Sequence, residues 1–214
     1  MSGIGIGFFG SGSAPFSPTD TVYTSSTSIT VPAGATQIIA ECIGAGGGGG
    51  AGIVTGGPFC GGGGGGGSYV IATKSLSGDS GKTITITVGT GGAGGVRSTS
   101  QPVAGGLSRI QATTLTNNFD VTSGGGLAAT NATASADGLG GAGGTASQTS
   151  GSTTNVTLTN GSAGGDGDGL NPPASGGLGK TFSGGGTTYG IGGNGVNTTP
   201  GSAGTNGAVR IRFS

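Results

Sequence analysis

Histidine is absent from this chain, so any proton-transfer chemistry falls to carboxylates, lysines or thiols. The acidic residues are Asp20, Glu41, Asp79, Asp120, Asp137, Asp166 and Asp168. Only Asp166 and Asp168 are close in sequence, in GGDGDGLN, and the glycines around them offer no apolar wall to shift a carboxyl pKa. The pair could hold a cation with backbone carbonyls or stand in a solvated turn. An EF-hand loop is excluded, because it would need glycine where Asn171 stands and glutamate where Gly177 stands. Cys42 and Cys60 have no histidine partner to activate them. Their glycine-rich connection would let them pair as a disulfide, and a buried thiol with a loop thiol fits equally. The stretch ASGGLGKT, residues 174–181, imitates a phosphate-binding loop, but Ala174 occupies the first glycine position. No strand precedes it and no helix follows it. The expectation is a protein that is not an enzyme, with no cofactor and no metal.

Side chains that could grip a ligand sit where the glycine pattern is interrupted. TTLTNNFDV supplies Asn117, Asn118 and Phe119, and TTYGIGGNGVNTT supplies Tyr189, Asn194 and Asn197. An aromatic ring offers a flat apolar face, and an asparagine amide both donates and accepts, which suits hydroxyl-rich glycans. These six residues are the expected receptor-binding set, with core packing as the other reading of Phe119. The triplets NAT, NVT, NGS and NTT read as ordinary loop chemistry.

The elements that must position these groups are β-strands. Ile84, Ile86 and Val88 alternate with threonines, and Val209, Ile211 and Phe213 alternate with Arg210 and Arg212. Ile38, Ala40 and Cys42 alternate with Ile39, Glu41 and Ile43 after a VPAG turn. Glu41 is a carboxylate inside an apolar strand, and facing solvent or pairing with Arg210 or Arg212 would satisfy it. SYVIATKSL and LSRIQATTL complete the strands, and the turn LSGDSGK predicts a hairpin of 69–75 with 83–89. The β elements, about 20–45, 68–90, 106–121 and 208–214, are expected to form one antiparallel unit. No amphipathic helix is legible, since glycine interrupts every candidate.

Glycine dominates the rest: 58 Gly and 8 Pro stand in 214 residues, a proportion at which disorder is the ordinary expectation. Acids and bases balance at seven each, however, so no charge repulsion keeps the chain expanded. A strict Gly-X-Y register is lacking, which excludes collagen. The ordered alternative is an extended threefold conformation whose backbone groups point sideways, so that glycine strands bond to one another where no Cβ holds them apart. The apolar strand at 208–214 favours order, because whatever lies between must return the chain to the sheet. Residues 124–206 are expected to be mostly such strands.

The series TSITVPAGATQIIAECIGAGGGGG, then CGGGGGGGSYVIATKSLSGDSGKTITITVGTGGAGG, then glycine-rich repeats, then GAVRIRFS resembles a known arrangement. It is similar to the glycine-rich domain of bacteriophage tail fibres and adhesins, with a related version in receptors of the anaplastic-lymphoma-kinase type. The resemblance implies an all-β fold: a small antiparallel β-sandwich-like base carrying packed polyglycine-II strands, with essentially no α-helix. It also implies host recognition by loops at the strand ends. The expected organisation is an attachment segment at 1–19 and a glycine-rich domain at 20–214. Ile4, Ile6, Phe8, Phe9 and Phe16 make the first segment more apolar than a free tail needs.

The expected role is thus a tail-fibre, spike or adhesin component of a virion, which contacts other virion proteins and a host-surface glycan or protein and has scope to form homo-oligomers. A capsid decoration or fibre connector without receptor binding is the alternative. An ice-binding or cell-wall protein fits less well, because threonine and asparagine are irregularly spaced. The neutral charge leaves no footprint for nucleic acid, no apolar run is long enough to span a membrane, and the first residues lack the pattern of a signal peptide.

Overall fold

The computed structural model describes residues 16–53, 58–150, 154–169, 173–197 and 200–214. In chain order the strands are β1 (Thr19–Tyr23), β2 (Thr27–Thr30), β3 (Gln37–Ile43), β4 (Tyr69–Ser75), β5 (Thr83–Thr87), β6 (Ser108–Ala112), β7 (Phe119–Ser123), β8 (Ala146–Ser150), β9 (Thr154–Thr159) and β10 (Ala208–Phe213). They form two five-stranded antiparallel sheets, ordered β1-β10-β3-β4-β9 and β2-β5-β6-β7-β8. No helix occurs among the described residues.

The alternating apolar positions close a core between the two sheets. Ile38, Ala40 and Cys42 of β3 and Val209, Ile211 and Phe213 of β10 share one cluster with Ile84, Ile86, Ile110, Phe119 and Val121 from the opposite sheet. Each large apolar side chain removed from water this way contributes about 1.5–3 kcal/mol.

The expected hairpin of 69–75 with 83–89 does not form. β4 pairs with β3 and β9, whereas β5 pairs with β2 and β6. The turn between them carries the chain from one sheet to the other, so both apolar faces reach the same core from opposite sides. Buried Asp79 fixes that turn, accepting from Lys82 Nζ at 2.8 Å and from the backbone N and hydroxyl of Thr116 at 2.9 and 3.0 Å. Strands β8 and β9 lie within the stretch expected to be extended glycine-rich chain. In the N-terminal segment, Ile4, Ile6, Phe8 and Phe9 lie outside the described residues. Phe16 packs against the core of the sandwich.

Between the strands the backbone makes ten glycine-rich segments among the described residues: 44–52, 60–68, 89–95, 102–107, 124–132, 138–145, 161–168, 174–179, 190–197 and 201–207. Successive segments run away from the sandwich and back. Their hydrogen bonds repeat every third residue, as a threefold helix requires. In 44–52, the amides of Gly44, Gly47 and Gly50 donate to 60–68, those of Ala45 and Gly48 to 102–107, and those of Gly46 and Gly49 to 201–207. Its carbonyls accept from 89–95, 124–132 and 190–197, which gives six neighbours. Segment 60–68 likewise has six: it donates to 124–132, 161–168 and 190–197 and accepts from 44–52, 138–145 and 174–179.

The connectivity is that of three stacked layers. The outer layers are 102–107, 124–132, 138–145 and 201–207, 190–197, 174–179. Between them lie 89–95, 44–52, 60–68 and 161–168. Glycine is required at the centre by distance: a Cβ on Gly64 would lie 2.2 Å from the Gly47 carbonyl oxygen, and one on Gly48 1.9 Å from that of Ala93. At about 3.1 Å per residue, eight residues make a bundle about 25 Å tall.

Candidate functional site

Each outward segment must turn back at the top of the bundle. At that pole, the apex, 95–102 joins segments 89–95 and 102–107, and 132–138 joins segments 124–132 and 138–145; the described residues 53, 58–60, 168–169, 173–174, 197 and 200–201 end the other segments there. Turns cannot be buried in a backbone-bonded lattice without orphaning their own amides, and residues 96–101 and 133–136 are exposed. The loop between segments 89–95 and 102–107 carries Ser98, Thr99, Ser100 and Gln101, all exposed. A short bridge between Val96 and Ser100 closes it, and Ser98 sits at φ 59°. Asn131 ties the loop to the lattice: its Nδ2 donates to the Ser100 carbonyl at 2.8 Å, and its Oδ1 accepts from Ala51 N at 2.8 Å. Together with Ile53 and Ala132 these residues line a cleft of about 330 Å³. Its described walls offer three hydroxyls and the side-chain amides of Gln101 and Asn131, with no charged side chain, so it is equipped to hydrogen-bond hydroxyl or amide groups. It has no nucleophile–base pair.

The expected receptor-binding residues do not share this place. Phe119 is fully buried in the sandwich core, so its assignment to a binding surface is corrected. The first apolar residue after a turn here begins the inward face of β7. Asn117 and Asn118 are exposed but belong to the β6–β7 turn at the end of the sandwich away from the bundle, where φ values of 61° and 32° use asparagine's tolerance for left-handed backbone. Tyr189 is half-buried beside the sandwich, at the foot of segment 190–197, and Asn197 is half-buried at its apex end. Eight residues of threefold helix separate the two by about 25 Å. Asn194 is exposed between them, with its Oδ1 accepting from Gly176 N at 2.8 Å.

That bond belongs to a pattern. Peripheral segments lack a neighbour on the solvent side, so their outward amides need another acceptor. Oxygens of Asn194, Asn206, Asp166, Thr130 and Thr205 supply it, taking the amides of Gly176, Gly91, Gly140, Leu139 and Ile191, and Asp137 does the same for Cys60 at the apex end of the central segment 60–68. Asp166 is thereby a latch for segment 138–145, and Asp168 is exposed nearby.

The two thiols are free rather than paired. Cys42 lies in the sandwich core, where burial pushes its pKa far up. Cys60 starts segment 60–68 at the apex end, and burial, then Asp137 and Asp168, raise it. The length of that segment, about 25 Å, keeps the sulfurs apart.

Sequence reasoning passed over Ser98 to Gln101. The available signal was VRSTSQPV, a polar cluster closed by proline between two glycine runs. No curated protein matches the chain. The family model of the glycine-rich domain matches residues 21–214, from within β1 through every glycine segment to the end of β10, and the chain belongs to that family.

Proposed function

We propose that the protein is a structural virion component of a bacteriophage, of the tail-fibre, spike or adhesin kind, and that the apex loops recognise the host surface. The observation that carries this reading is polarity. Phe16 lies against the β2–β3 turn, its Cβ 2.9 Å from where a Cβ on Gly34 would stand, at the pole opposite the apex. One pole is thus available for attachment to other virion proteins while the apex turns 95–102 and 132–138 are held out about 25 Å from the sandwich. The partner at the apex is a cell-surface glycan or protein presenting hydroxyl and amide groups. No step of this role calls for catalysis.

The experiment replaces Ser98, Thr99 and Gln101 together by alanine in the virion and measures adsorption to host cells. The expected result is a loss of adsorption at least tenfold, with unchanged incorporation and unchanged melting temperature. Normal adsorption with normal incorporation would overturn the reading.

A decoration or connector role has one observation in its favour. Val103, Leu107, Leu127 and Leu139 are exposed along the outer layer formed by 102–107, 124–132 and 138–145. A lateral neighbour would cover such a flank. Loss of incorporation on replacing Leu127 and Leu139 by serine, with adsorption per incorporated copy unchanged in the apex variant, would select it.

A further inference from the structure

A second cleft lies on the flank of the sandwich, far from the apex. Between segments 174–179 and 190–197 the chain forms a flap whose ends, Lys180 and Tyr189, exchange backbone hydrogen bonds at 2.9 Å. The flap lies on the outer face of the sheet containing β3, over Glu41. That carboxylate is fully buried and saturated: it accepts from Tyr69 OH, Ser183 N, Ser183 Oγ and Arg212 Nη2, each at 2.7 Å. Ser183 is thereby pinned to the sheet.

Beyond it the backbone changes character. Gly184, Gly185 and Gly186 have φ of 93°, 89° and 111°, and nothing lies within 4 Å of a Cβ built on any of them. Elsewhere in the bundle glycine is demanded by crowding. Here three in succession form an open arch with bare peptide groups. On one side stand the rings of Phe182 and Tyr189, with centroids 5.5 Å apart and planes tilted by 47°. On the other, Arg210 grips both oxygens of Asp20 and donates a third bond to the Ser183 carbonyl at 2.7 Å. The space enclosed is about 400 Å³, within the range of ligand pockets.

We infer that this flank cleft is a binding site for a neutral saccharide, held between the Tyr189 ring, the Asp20–Arg210 pair and the glycine arch. Charge decides against ionic ligands. Asp20 and Glu41 offset Arg210 and Arg212, and Arg210 already directs its three donor groups at Asp20 and Ser183. An anion would have to displace Asp20, and a cation would have to compete with Arg210. A sugar needs neither. Its C–H face stacks on an aromatic ring, and its hydroxyls donate to the remaining lone pairs of Asp20 and the peptide carbonyls. The missing Cβ atoms let it approach the backbone.

The inference is independent of the apex reading. The test titrates amide-resolved NMR spectra of the whole chain with neutral hexasaccharides of glucose, galactose or mannose, and with a hexasaccharide of galacturonic acid as the anionic control. At least one neutral probe is expected to shift the amides of Gly184 to Tyr189 at millimolar concentration, and the anionic probe is not. Tyr189→Ala weakens that binding at least tenfold. Thr187→Trp, which fills the cleft from an exposed position, abolishes it, and Gln101→Ala leaves it unchanged. Absence of any shift with every neutral probe would overturn the inference. So would shifts confined to Ser98–Gln101, or equal binding of the anionic probe.

Discussion

The sandwich and the bundle are built from one chain by opposite means. In the sandwich, Ile38, Ile84, Ile110, Phe119 and Ile211 exclude water, and backbone bonding follows along the strands. In the bundle the two central segments bury almost nothing but glycine and alanine, and the backbone itself fills the interior. Folding such a segment forgoes the large transfer free energy of apolar side chains and meets glycine's high entropic cost. What offsets it is satisfaction. Nearly every amide in 44–52 and 60–68 finds a carbonyl at 2.7–3.1 Å, each bond contributing about 1 kcal/mol net. Side-chain packing tolerates some exchange of shape and volume, whereas a lattice of backbone tolerates no added atom at all.

The sharpest way to break the contrast is Gly64→Val. Its Cβ would meet the Gly47 carbonyl at 2.2 Å, and the surrounding atoms are backbone held by their own bonds. Loss of the folded bundle is expected, read as collapse of amide protection across 44–52 and 60–68. The matched change in the open β4–β5 turn, Gly78→Ala, meets nothing within 4 Å and costs only the strain of its φ of 74°, about 1 kcal/mol by denaturant unfolding. Equal effects of the two would refute the crowding argument.

In the sandwich the corresponding deletion is Phe119→Ala, which leaves a cavity and is expected to cost about 3–5 kcal/mol by urea unfolding while the chain still folds. A smaller loss, about 2 kcal/mol, is expected from Glu41→Gln, which removes the charge from the hydrogen bonds to Arg212 and Ser183 while Arg212 stays partly hydrated. An effect on amide exchange limited to the flap would mark Glu41 as a local pin, and an effect on the whole sheet would mark it as part of the core.

The smallest effect concerns acid. Burial would raise the Asp79 carboxyl, but the bonds from Lys82 and Thr116 outweigh it and hold the pKa below its ordinary 3.8. A folded pKa beneath the unfolded one gives stability that is present above pH 4 and fades as pH falls through the folded value. The parent should therefore lose more stability between pH 5 and pH 3 than Asp79→Asn does, in paired urea titrations. Parallel curves would show that other carboxylates carry the acid limb.

Legibility followed the same divide. Strands with alternating large apolar residues, such as β5 and β10, could be read directly, because their period is imposed by the core. Strand β9, TNVTLT, carries its large residues sparsely at a sheet edge and was invisible among threonine-rich loops. The partner of β4 could not be read, since local turn chemistry does not say whether a turn stays in one sheet or crosses to another. Threefold glycine strands were inferable from composition, but which segment touches which depends on contacts far apart in sequence. For the same reason Tyr189, Asn194 and Asn197 looked like one site and are spread along a rod, and the apex cleft joins Ile53, Gln101 and Asn131 from three stretches far apart in sequence.

The three-residue repeat of the bundle has a consequence for how such a molecule can vary. An insertion of one or two residues in a single segment rotates every later amide away from its acceptor, whereas three residues restore the direction. Lengthening is therefore quantised: adding three residues to every arm raises the whole rod by one storey of about 9 Å. Changes in the turns carry no such toll, because each hairpin is closed below by bonds that do not involve it. The lattice thus sorts mutations by kind, freezing the shaft to steps of three while leaving each apex turn to change length and composition independently of its neighbours.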